Sequence, residues 1–461
     1  MITLDYIKNC KNIHMVGIGG VSMSGIAEIV KSFGINITGS NLEKTSTTEL
    51  LEKNNISVII GHFESNIPKE CDLVVYTAAV KQDNIELLTA KKLNIPIIER
   101  ANFLGLLTLF YKDSICISGT HGKTTTTSMI SLCFLEANLN PTIQVGANLK
   151  QLNGNYKLGT NDYFIIEACE YVESFLNFFP KTEIILNIDN DHLDYFKSFE
   201  NIKNAFIKYV KLLPDNGLLV INGDDTNCLD VSNETKCKTL TYGISNSNVN
   251  YFAKNLQPDN NGFYEFDVYF KDTFFEHFKL SVPGLHNVLN SLACITTCSE
   301  YDIAKSDMKN ALLKFTGANR RFEYMGNFND ISVFDDYGHH PTEIKATFEA
   351  LSNKNFRESW VVFQPHTYTR TKNHLNEFAE ILSKFHNIII TDIYAAREKN
   401  EYNISSLDLV QKIESFGQTN VVHISNFEDI VTYIKSNAKP NDIVLTLGAG
   451  NIVDVCSKLV K

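Results

Sequence analysis

Residues 114–128 read Ser114-Ile-Cys-Ile-Ser-Gly-Thr-His-Gly-Lys-Thr-Thr-Thr-Thr-Ser128, and the fold of the middle of the chain follows from this stretch. It begins with a short apolar run that contains β-branched residues, continues through a turn flanked by glycines, and ends in a run of threonines. The apolar residues that come next recur at the spacing of a buried helix. This order predicts a strand, a loop and the N-terminus of a helix.

The turn in this stretch has the residue types of a loop that binds the phosphates of ATP. Its backbone N–H groups and the positive end of the helix dipole form an anion site, Lys123 supplies a cation, and the Thr124 hydroxyl can ligate Mg²⁺. The full P-loop pattern has a glycine where this chain has Ile117, so the predicted loop is shorter. A glycine-rich structural turn is the alternative interpretation. The predicted ATP contacts of the loop are Gly119, Thr120, His121, Gly122, Lys123, Thr124 and Thr125.

The size and charge of the chain restrict its class. Its 461 residues are too many for one hydrophobic core, and this length favours about three domains. The net charge is −11, from 42 basic and 53 acidic residues, and no basic run could neutralise a nucleic-acid backbone. We therefore expect a globular protein that does not bind nucleic acid.

The distribution of apolar residues and cysteines predicts a cytoplasmic protein without membrane insertion. The first residues lack the pattern of a secretory leader, and no apolar run is long enough to span a bilayer. The ten cysteines are scattered, and none belongs to a C-x-x-C pair. Cys294 and Cys298 share a helix face but lack accompanying ligand-type residues. All ten are interpreted as reduced and mostly buried thiols.

The N-terminal part has a Rossmann-type opening. Residues 12–17 predict a strand, Gly17-Ile-Gly-Gly20 turns into a helix, and a second strand over residues 35–38 ends at Gly39-Ser40-Asn41. The dinucleotide fingerprint requires a third glycine where this chain has Ser22 and an acidic residue where it has Asn41, so NAD is disfavoured. A nucleotide-like ligand with a diphosphate over the glycine loop is predicted. A purely structural glycine turn is the alternative.

Two later strands of the middle part run into acidic residues. The first lies in Asp162-Tyr-Phe-Ile-Ile-Glu-Ala-Cys-Glu170, and the second starts at Glu183. In a parallel sheet the carboxyl ends of the strands face the same crevice as the phosphate loop. Carboxylate oxygens and neutral imidazole suit Mg²⁺ or Mn²⁺ held jointly with phosphates. The residues that follow the second strand are Asp189, Asp191, His192 and Asp194.

The last third of the chain predicts another doubly wound sheet. Residues 315–322 are interpreted as a linker into this region, and four strand-like runs after it each end in polar residues or glycine. Before the linker, Asn287 and Asn290 lie one helical turn apart and could bind the edge of a nucleotide base. Helix capping by the side-chain amides is the alternative.

With these residues in place, the chain resembles the Mur ligase family, whose members build the stem peptide of peptidoglycan with ATP. The resemblance covers residues 14–451, and its motifs occur in the order of the family. The phosphate loop indicates the wider family. Its alanine-adding branch is indicated by the first glycine loop, by Asp336-Tyr-Gly-His-His-Pro341 and by Gln364-Pro-His366. The motifs are Gly17-Ile-Gly-Gly-Val-Ser-Met-Ser-Gly-Ile-Ala27, Gly119-Thr-His-Gly-Lys-Thr124, Glu167-Ala-Cys-Glu170, Asn187-Ile-Asp-Asn-Asp-His-Leu-Asp194, His286-Asn-Val-Leu-Asn290, Arg320-Arg-Phe322, Asp335-Asp-Tyr-Gly-His-His-Pro-Thr-Glu343, Gln364-Pro-His366 and Gly448-Ala-Gly-Asn-Ile452.

The resemblance implies an α/β protein of three domains. Residues 1–107 would form a Rossmann-like domain that binds the UDP substrate, residues 108–316 a central P-loop-type ATPase domain, and residues 317–461 a Rossmann-like domain that completes the ATP and amino-acid site. The implied reaction joins L-alanine to the carboxylate of UDP-N-acetylmuramate through an acyl phosphate, with ATP and Mg²⁺ or Mn²⁺. The implied setting is peptidoglycan synthesis, cell-wall biogenesis and cell division in the cytoplasm. The oligomeric state stays open.

The resemblance also implies roles for single residues. Lys123 and Arg321 would bracket the γ-phosphate, Thr124 and Glu170 would hold one Mg²⁺, and His192 would help to hold a second. The catalytic set is thus Lys123, Glu170, His192 and Arg321. Beyond the phosphate loop, ATP would contact Asn287, Asn290, Arg321 and Asp336, the last at the ribose. The implied UDP-substrate contacts are Gly17, Gly19, Gly20, Ser40 and Asn41. The implied amino-acid and acyl-phosphate contacts are Tyr337, His339, His366 and Arg370.

Three other functions stay open at this point. A murein-peptide ligase of similar sequence would attach a whole tripeptide, an NAD-linked oxidoreductase would need the fingerprint that Ser22 and Asn41 break, and a nucleotide-sugar sensor would bind without catalysis. The chain also departs from the family at Asn41, where an aspartate is usual. Several relatives carry a carbamylated lysine where Phe206 falls here, and no lysine is assigned that role.

Overall fold

The computed structural model of the protein describes residues 2–396 and 398–460. Three residues lie outside the described part: Met1, Arg397 and Lys461. Met1 begins the predicted first domain, Lys461 ends the predicted third domain, and Arg397 follows one of the strands predicted for the third domain. The described chain divides into two compact units: residues 2–188, 203–250 and 293–311 form the first, and residues 189–202, 251–292 and 312–460 the second. Within this part of the chain, none of the helices has the length and the apolar character needed to cross a bilayer.

The N-terminal part of the first unit is a five-stranded parallel sheet in the order β3-β2-β1-β4-β5. The order reverses at β1, so the loop that follows β1 lies at the switch point where ligands bind in open α/β sheets. The predicted Rossmann-type opening is therefore confirmed. Its elements are α1 (Leu4–Asn9), β1 (Asn12–Val16), α2 (Val21–Ser32), β2 (Asn36–Asn41), α3 (Ser46–Lys53), β3 (Ser57–Ile60), β4 (Leu73–Tyr76), α4 (Ile85–Lys92), β5 (Ile97–Glu99) and α5 (Arg100–Thr108).

The central strands of the first unit run in the order β12-β11-β10-β6-β9-β7-β8. All neighbours are parallel except β7 and β8, which form a hairpin. The β6 residues Ile115, Cys116 and Ile117 are all fully buried, as expected for a strand covered on both faces. The elements from here to residue 243 are β6 (Asp113–Ser118), α6 (Lys123–Glu136), β7 (Thr142–Leu149), β8 (Gly154–Lys157), β9 (Tyr163–Glu167), β10 (Thr182–Ile185), α7 (Leu193–Phe196), α8 (Phe199–Val210), β11 (Leu218–Asn222), α9 (Thr226–Ser232) and β12 (Lys238–Gly243).

The second unit contains an antiparallel meander and a six-stranded sheet. The meander consists of β13, β14 and β15, and the sheet runs in the order β16-β17-β21-β18-β19-β20, with only β16 antiparallel to its neighbour. From residue 251 on, the elements are β13 (Tyr251–Pro258), β14 (Phe263–Phe270), β15 (Thr273–Pro283), α10 (Leu285–Glu300), α11 (Lys305–Lys314), β16 (Glu323–Phe328), β17 (Ile331–Asp336), α12 (Pro341–Ser352), β18 (Ser359–Phe363), α13 (Tyr368–Asn373), α14 (Leu375–Leu382), β19 (Asn387–Ile390), α15 (Ser406–Glu414), β20 (Val421–His423), α16 (Phe427–Asn437), β21 (Ile443–Leu447) and α17 (Val453–Leu459). Of these, the part of α10 and α11 that lies within residues 293–311 belongs to the first unit.

Helices cover both faces of the six-stranded sheet. Along β18, Val361 and Phe363 belong to one buried cluster, whereas Trp360 and Val362 belong to another. Successive side chains of a strand point to opposite faces, so each face has its own hydrophobic core. The predicted doubly wound α/β arrangement is confirmed for this sheet.

Candidate functional site

The phosphate loop has the predicted order of strand, loop and helix. β6 ends at Ser118 and α6 begins at Lys123, so residues 119–122 connect them. Gly119 and Gly122 have φ angles of +126° and +87°, which side-chain-bearing residues rarely adopt. The two glycines of the shortened loop are therefore required by its backbone conformation.

The Lys123 ammonium lies over its own loop. Nζ donates hydrogen bonds to the carbonyl oxygens of Gly119 and Thr120, at 2.5 and 3.0 Å, and to Oε2 of Glu170 at 2.9 Å. Burial acts to lower the pKa of Lys123, but the Glu170 carboxylate outweighs it and holds that pKa above its usual value. The side chain therefore stays cationic where a phosphate would bind.

A second carboxylate, that of Glu167, lies beside the Thr124 hydroxyl. Thr124 Oγ1 donates to Oε2 of Glu167 at 3.2 Å, and the backbone N–H of Gly146 donates to Oε1 at 2.5 Å. Glu170, which was predicted to share a metal ion with Thr124, pairs with Lys123. Its role as a metal ligand stays a prediction. Sequence reasoning could have found Glu167 because it is the last residue of β9, at the carboxyl end of a parallel strand.

The turn that follows Glu170 is strained. It is a 3₁₀ segment, Tyr171–Asn177, in which Val172 has φ 49° and ψ 31°. The left-handed conformation is unfavourable for a β-branched residue, and 44% of Val172 is exposed, so packing gives little compensation.

Val172→Gly is expected to stabilise the protein by about 1 kcal/mol, because glycine adopts this conformation without strain and only part of the gain is offset by the entropy of the unfolded chain. Thermal melts of the wild type, Val172→Gly and the control Val172→Ala would test this. The alanine variant keeps a Cβ and should gain less. An unchanged or lower melting temperature for Val172→Gly would contradict the expectation.

In the second unit, the predicted amino-acid contacts lie close together. The ring centroids of Tyr337 and His339 are 5.3 Å apart, and those of His339 and His366 are 5.7 Å apart. Nη1 of Arg370 donates to Nδ1 of His366 at 3.1 Å. Burial, together with the nearby His339 and Arg370, lowers the pKa of His366 to about 3. His366 is thus a neutral acceptor that orients the arginine.

Arg370 also forms a buried ion pair with the acidic segment that follows β10. Its Nε and Nη2 donate to Oδ1 of Asp191 at 3.2 and 2.8 Å. Burial acts to raise the pKa of Asp191, but Arg370 and the neighbouring histidines outweigh it and hold that pKa well below its usual range. His192, the predicted metal ligand, follows in a left-handed conformation at the N-cap of α7. Its role as a ligand stays a prediction.

The two adjacent arginines of the linker have different surroundings. Arg320 donates to Asp335 and to the carbonyl oxygens of Gly448 and Gly450, at 2.7–2.9 Å. Arg321 lies over the Tyr337 ring at 5.2 Å and is 30% exposed at its side chain. Arg320 is therefore held by contacts within the sheet domain. The role of Arg321 as a γ-phosphate contact stays a prediction.

Asp336, the predicted ribose contact, is the last residue of β17. Its carboxylate accepts from the backbone N–H groups of Phe322, at 2.7 Å, and Gly338, at 2.6 Å. Burial raises the pKa of Asp336 to about 6, against the opposing effect of Arg321. The preceding residue of β17, Asp335, pairs with Arg320.

The side chains of Asn287 and Asn290 bond locally. Nδ2 of Asn287 donates to the carbonyl oxygen of Pro283 at 2.7 Å, and Nδ2 of Asn290 donates to Oδ1 of Asn287 at 3.1 Å. Both bonds are local, and neither is a helix cap, because the amide nitrogen donates in each instead of the side-chain oxygen accepting from a backbone N–H group. Contact with a nucleotide base stays a prediction.

At the N-terminal glycine loop, Asn41 and Ser40 support the loop from within. Oδ1 of Asn41 accepts from the backbone N–H of Gly19 at 3.2 Å, and the carbonyl oxygen of Ser40 accepts from the N–H of Gly17 at 2.8 Å. The Ser40 hydroxyl is fully buried and donates to Oε2 of Glu86 at 2.7 Å. The direct contacts of Ser40 and Asn41 with a UDP ligand stay predictions.

Comparison with known proteins agrees with this arrangement. The profile described as "Mur ligase family, catalytic domain" matches residues 12–112, "Mur ligase middle domain" matches residues 117–298, and "Mur ligase, glutamate ligase domain" matches residues 320–450. Three matched segments in this order correspond to a three-domain α/β chain.

Relatives match the chain over nearly its whole length. The UDP-N-acetylmuramate–L-alanine ligase of Acetivibrio thermocellus is 47% identical over 451 residues, which cover 98% of this chain and 96% of that protein. The crystal structure of UDP-N-acetylmuramate-alanine ligase from Thermotoga maritima has a TM-score of 0.81 and 28% identity, and covers 97% of this chain and 98% of that one. A murein peptide ligase from Psychrobacter arcticus has a TM-score of 0.71 at 24% identity over 97% and 98% of the two chains, so it shows the fold alone. The chain belongs to the Mur ligase family.

Proposed function

We propose that this protein is a cytoplasmic UDP-N-acetylmuramate–L-alanine ligase of peptidoglycan precursor synthesis. The observation that carries the proposal is the phosphate loop, where Lys123 pairs with Glu170 and Thr124 with Glu167. The names of the full-length relatives supply the substrates. The substrates would be UDP-N-acetylmuramate, L-alanine and ATP.

The reaction follows from the chemistry of its acceptor. A carboxylate is a poor electrophile at neutral pH, so its oxygen first attacks the γ-phosphorus of ATP, ADP leaves, and an acyl phosphate forms. The amine of L-alanine then attacks the acyl carbon, loses a proton, and inorganic phosphate leaves as the amide forms. Phosphoryl transfer depends mainly on positioning and on neutralisation of charge. Lys123 and Arg321 are the cations proposed for that task.

Mg²⁺ fits the oxygen donors near the phosphate loop. The Thr124 hydroxyl and the Glu167 carboxylate are 3.2 Å apart, and hard oxygen ligands are those that Mg²⁺ prefers. The bound ion would neutralise phosphate charge. Thr124 and Glu167 are therefore proposed as its ligands, and the predicted ligand Glu170 is kept as the alternative to Glu167. His192 is the proposed ligand of a second ion.

Substitutions should distinguish the roles of the Glu167 and Glu170 carboxylates. Glu167→Gln is expected to raise the Mg²⁺ concentration for half-maximal activity at least tenfold, because an ionised ligand is lost. Glu170→Gln should leave that concentration nearly unchanged and lower kcat, because Lys123 loses its partner. Mn²⁺ binding measured by electron paramagnetic resonance gives a readout besides activity. Equal shifts in both variants would contradict this division of roles.

On the amino-acid side, the proposed contacts are Tyr337, His339, His366 and Arg370. Neutral His366 fixes the Arg370 guanidinium, which suits recognition of a carboxylate. Asp336 is the proposed ribose acceptor, and Asn287 and Asn290 the proposed base contacts.

A substrate panel tests the proposed function. Purified protein with ATP and Mg²⁺ is given UDP-N-acetylmuramate and each single amino acid or the stem tripeptide, and products are identified by mass. A product one alanyl residue heavier is expected. Preference for the tripeptide would indicate a murein-peptide ligase, and the absence of phosphate release with every acceptor would indicate a sensor.

The UDP part of the acceptor should matter although it does not react. If the loop at Gly17, Gly19 and Gly20 binds the diphosphate, N-acetylmuramate without UDP loses the binding energy that positions its carboxylate. We expect kcat/KM to fall at least a hundredfold for this truncated acceptor. Equal values for the two acceptors would show that the N-terminal sheet has another role.

A further inference from the structure

Three cysteine side chains meet in the interior of the first unit. Cys133 lies on α6, and Cys294 and Cys298 lie one turn apart on α10. The Sγ atom of Cys133 is 3.5 Å from that of Cys294, which is 3.8 Å from that of Cys298. All three side chains are fully buried. The sequence indicated Cys294 and Cys298 as a pair without a further ligand, and the fold supplies Cys133 as a third thiol.

The spacing of the three sulphur atoms suits one metal ion. All lie within 4.8 Å of one another. A point equidistant from three sulphurs at these separations lies about 2.3 Å from each, which matches a metal–thiolate bond. The group can therefore close around an ion with small side-chain movements.

The surroundings of the group select the kind of ion. Among residues 2–396 and 398–460, the ligand atoms grouped within this distance belong to the three thiols, without a histidine or a carboxylate. Thiolates favour soft ions, and structural zinc almost always takes four ligands. A soft ion that accepts three sulphurs, such as Cu(I), fits better than Zn²⁺.

The helix ends add an electrostatic contribution. Cys133 lies in the last turn of α6, which ends at Glu136, and Cys298 lies in the last turn of α10, which ends at Glu300. The C-terminal end of a helix carries partial negative charge and favours a cation nearby. Both helix ends therefore favour the cation itself and oppose free thiolates, so the thiols should lose their protons only as the ion binds.

We propose that Cys133, Cys294 and Cys298 form a buried site for a thiophilic metal ion of the Cu(I) class. Each ligating thiol releases its proton to solvent as its bond to the metal forms, and the oxidation state of the ion does not change. The bound ion would tie α10 to α6, the helix that begins at Lys123. This site is independent of the proposed ligase reaction.

A competition experiment tests the proposal. Reduced, metal-free protein is loaded anaerobically with Cu(I) and titrated with a chromophoric Cu(I) chelator. We expect one chelator-resistant Cu(I) per chain, with three sulphur neighbours at about 2.3 Å by X-ray absorption. Cys133→Ala and Cys294→Ala should each lose this equivalent, whereas the control Cys237→Ala, a cysteine elsewhere in the unit, should keep it. A parallel arm with Zn²⁺ should retain no ion.

Three results would overturn the proposal: release of all copper by the wild type, equal retention in Cys133→Ala, or nitrogen and oxygen neighbours in the absorption spectrum. Retention of Zn²⁺ but not Cu(I) would overturn the choice of ion. Circular dichroism shows whether each variant folds. If one does not, the number of sulphur neighbours in the wild type still decides, because it needs no substitution.

Discussion

Lys123→Ala is expected to lower kcat by two to three orders of magnitude, or about 3 kcal/mol of transition-state stabilisation, which is the usual cost of losing one preorganised donor. In the structure the ammonium is held by two loop carbonyl groups and by Glu170. Its charge is therefore already in place when negative charge develops on the transferring oxygens. Steady-state phosphate release with saturating ATP, UDP-N-acetylmuramate and L-alanine measures the effect.

Two controls separate this effect from a loss of structure. Lys112→Ala removes a lysine whose side chain is 81% exposed and pairs with Asp162 at the surface, so its activity should match the wild type. Lys123→Ala/Glu170→Gln removes both charges of the buried pair, so an inactive double variant that melts like the wild type assigns the loss to chemistry. Wild-type turnover in Lys123→Ala would show that this loop does not bind the reacting phosphate.

The phosphate loop could be predicted from the sequence because its determinants are local. Strand, glycines and helix lie within fifteen consecutive residues, and the backbone angles of Gly119 and Gly122 require those residue types. The α/β class of the three sheets was predictable for a similar reason, since apolar runs followed by polar strand ends occur along most of the chain.

The choice between Glu167 and Glu170 could not be made from local pattern. Both acids follow one apolar run, and the pairing of β6 with β9 sets Glu167 opposite Ile117. In that register Glu167 accepts a hydrogen bond from Thr124, and Glu170 accepts one from Lys123. Strand register is a tertiary property, so the sequence motif contains both candidates without ranking them.

Contacts between distant segments were also beyond the sequence. Cys133 and Cys294 are 161 positions apart, and Asp191 and Arg370 are 179 positions apart. Periodicity describes the face of one helix or strand and does not identify what packs against that face. The thiol group and the buried ion pair therefore emerged only from the fold.

The buried pair of Arg370 and Asp191 leads to the second large expected effect. Their side chains are 10% and 8% exposed. Arg370→Ala leaves the Asp191 carboxylate buried without its main counter-charge, and breaking one partner of a buried pair typically costs about 3–5 kcal/mol. A protein of several domains seldom unfolds in one step, so the loss is best measured locally, by hydrogen exchange of peptides that cover α7 and α13.

The pH dependence of the local stability provides a second test of the Arg370→Ala variant. In the wild type the depressed pKa of Asp191 means that its stabilising contribution is present at neutral pH, above the unfolded-state pKa, and is lost as pH falls through the folded-state value. In Arg370→Ala burial should prevail and raise that pKa, so protonation relieves the buried charge. The difference in local stability between wild type and variant should therefore shrink between pH 7 and pH 4.

A double variant decides whether the loss belongs to the pair. Arg370→Ala/Asp191→Asn removes the stranded charge, so it should recover part of the local stability, with a coupling energy of roughly 1–3 kcal/mol. Activity should stay low, because the proposed amino-acid contact of Arg370 is gone in both variants. Recovery of stability without recovery of activity would assign two roles to one arginine. If the double variant is no more protected than Arg370→Ala at pH 7, or if the difference from the wild type persists at pH 4, the stranded carboxylate is not the cause of the instability.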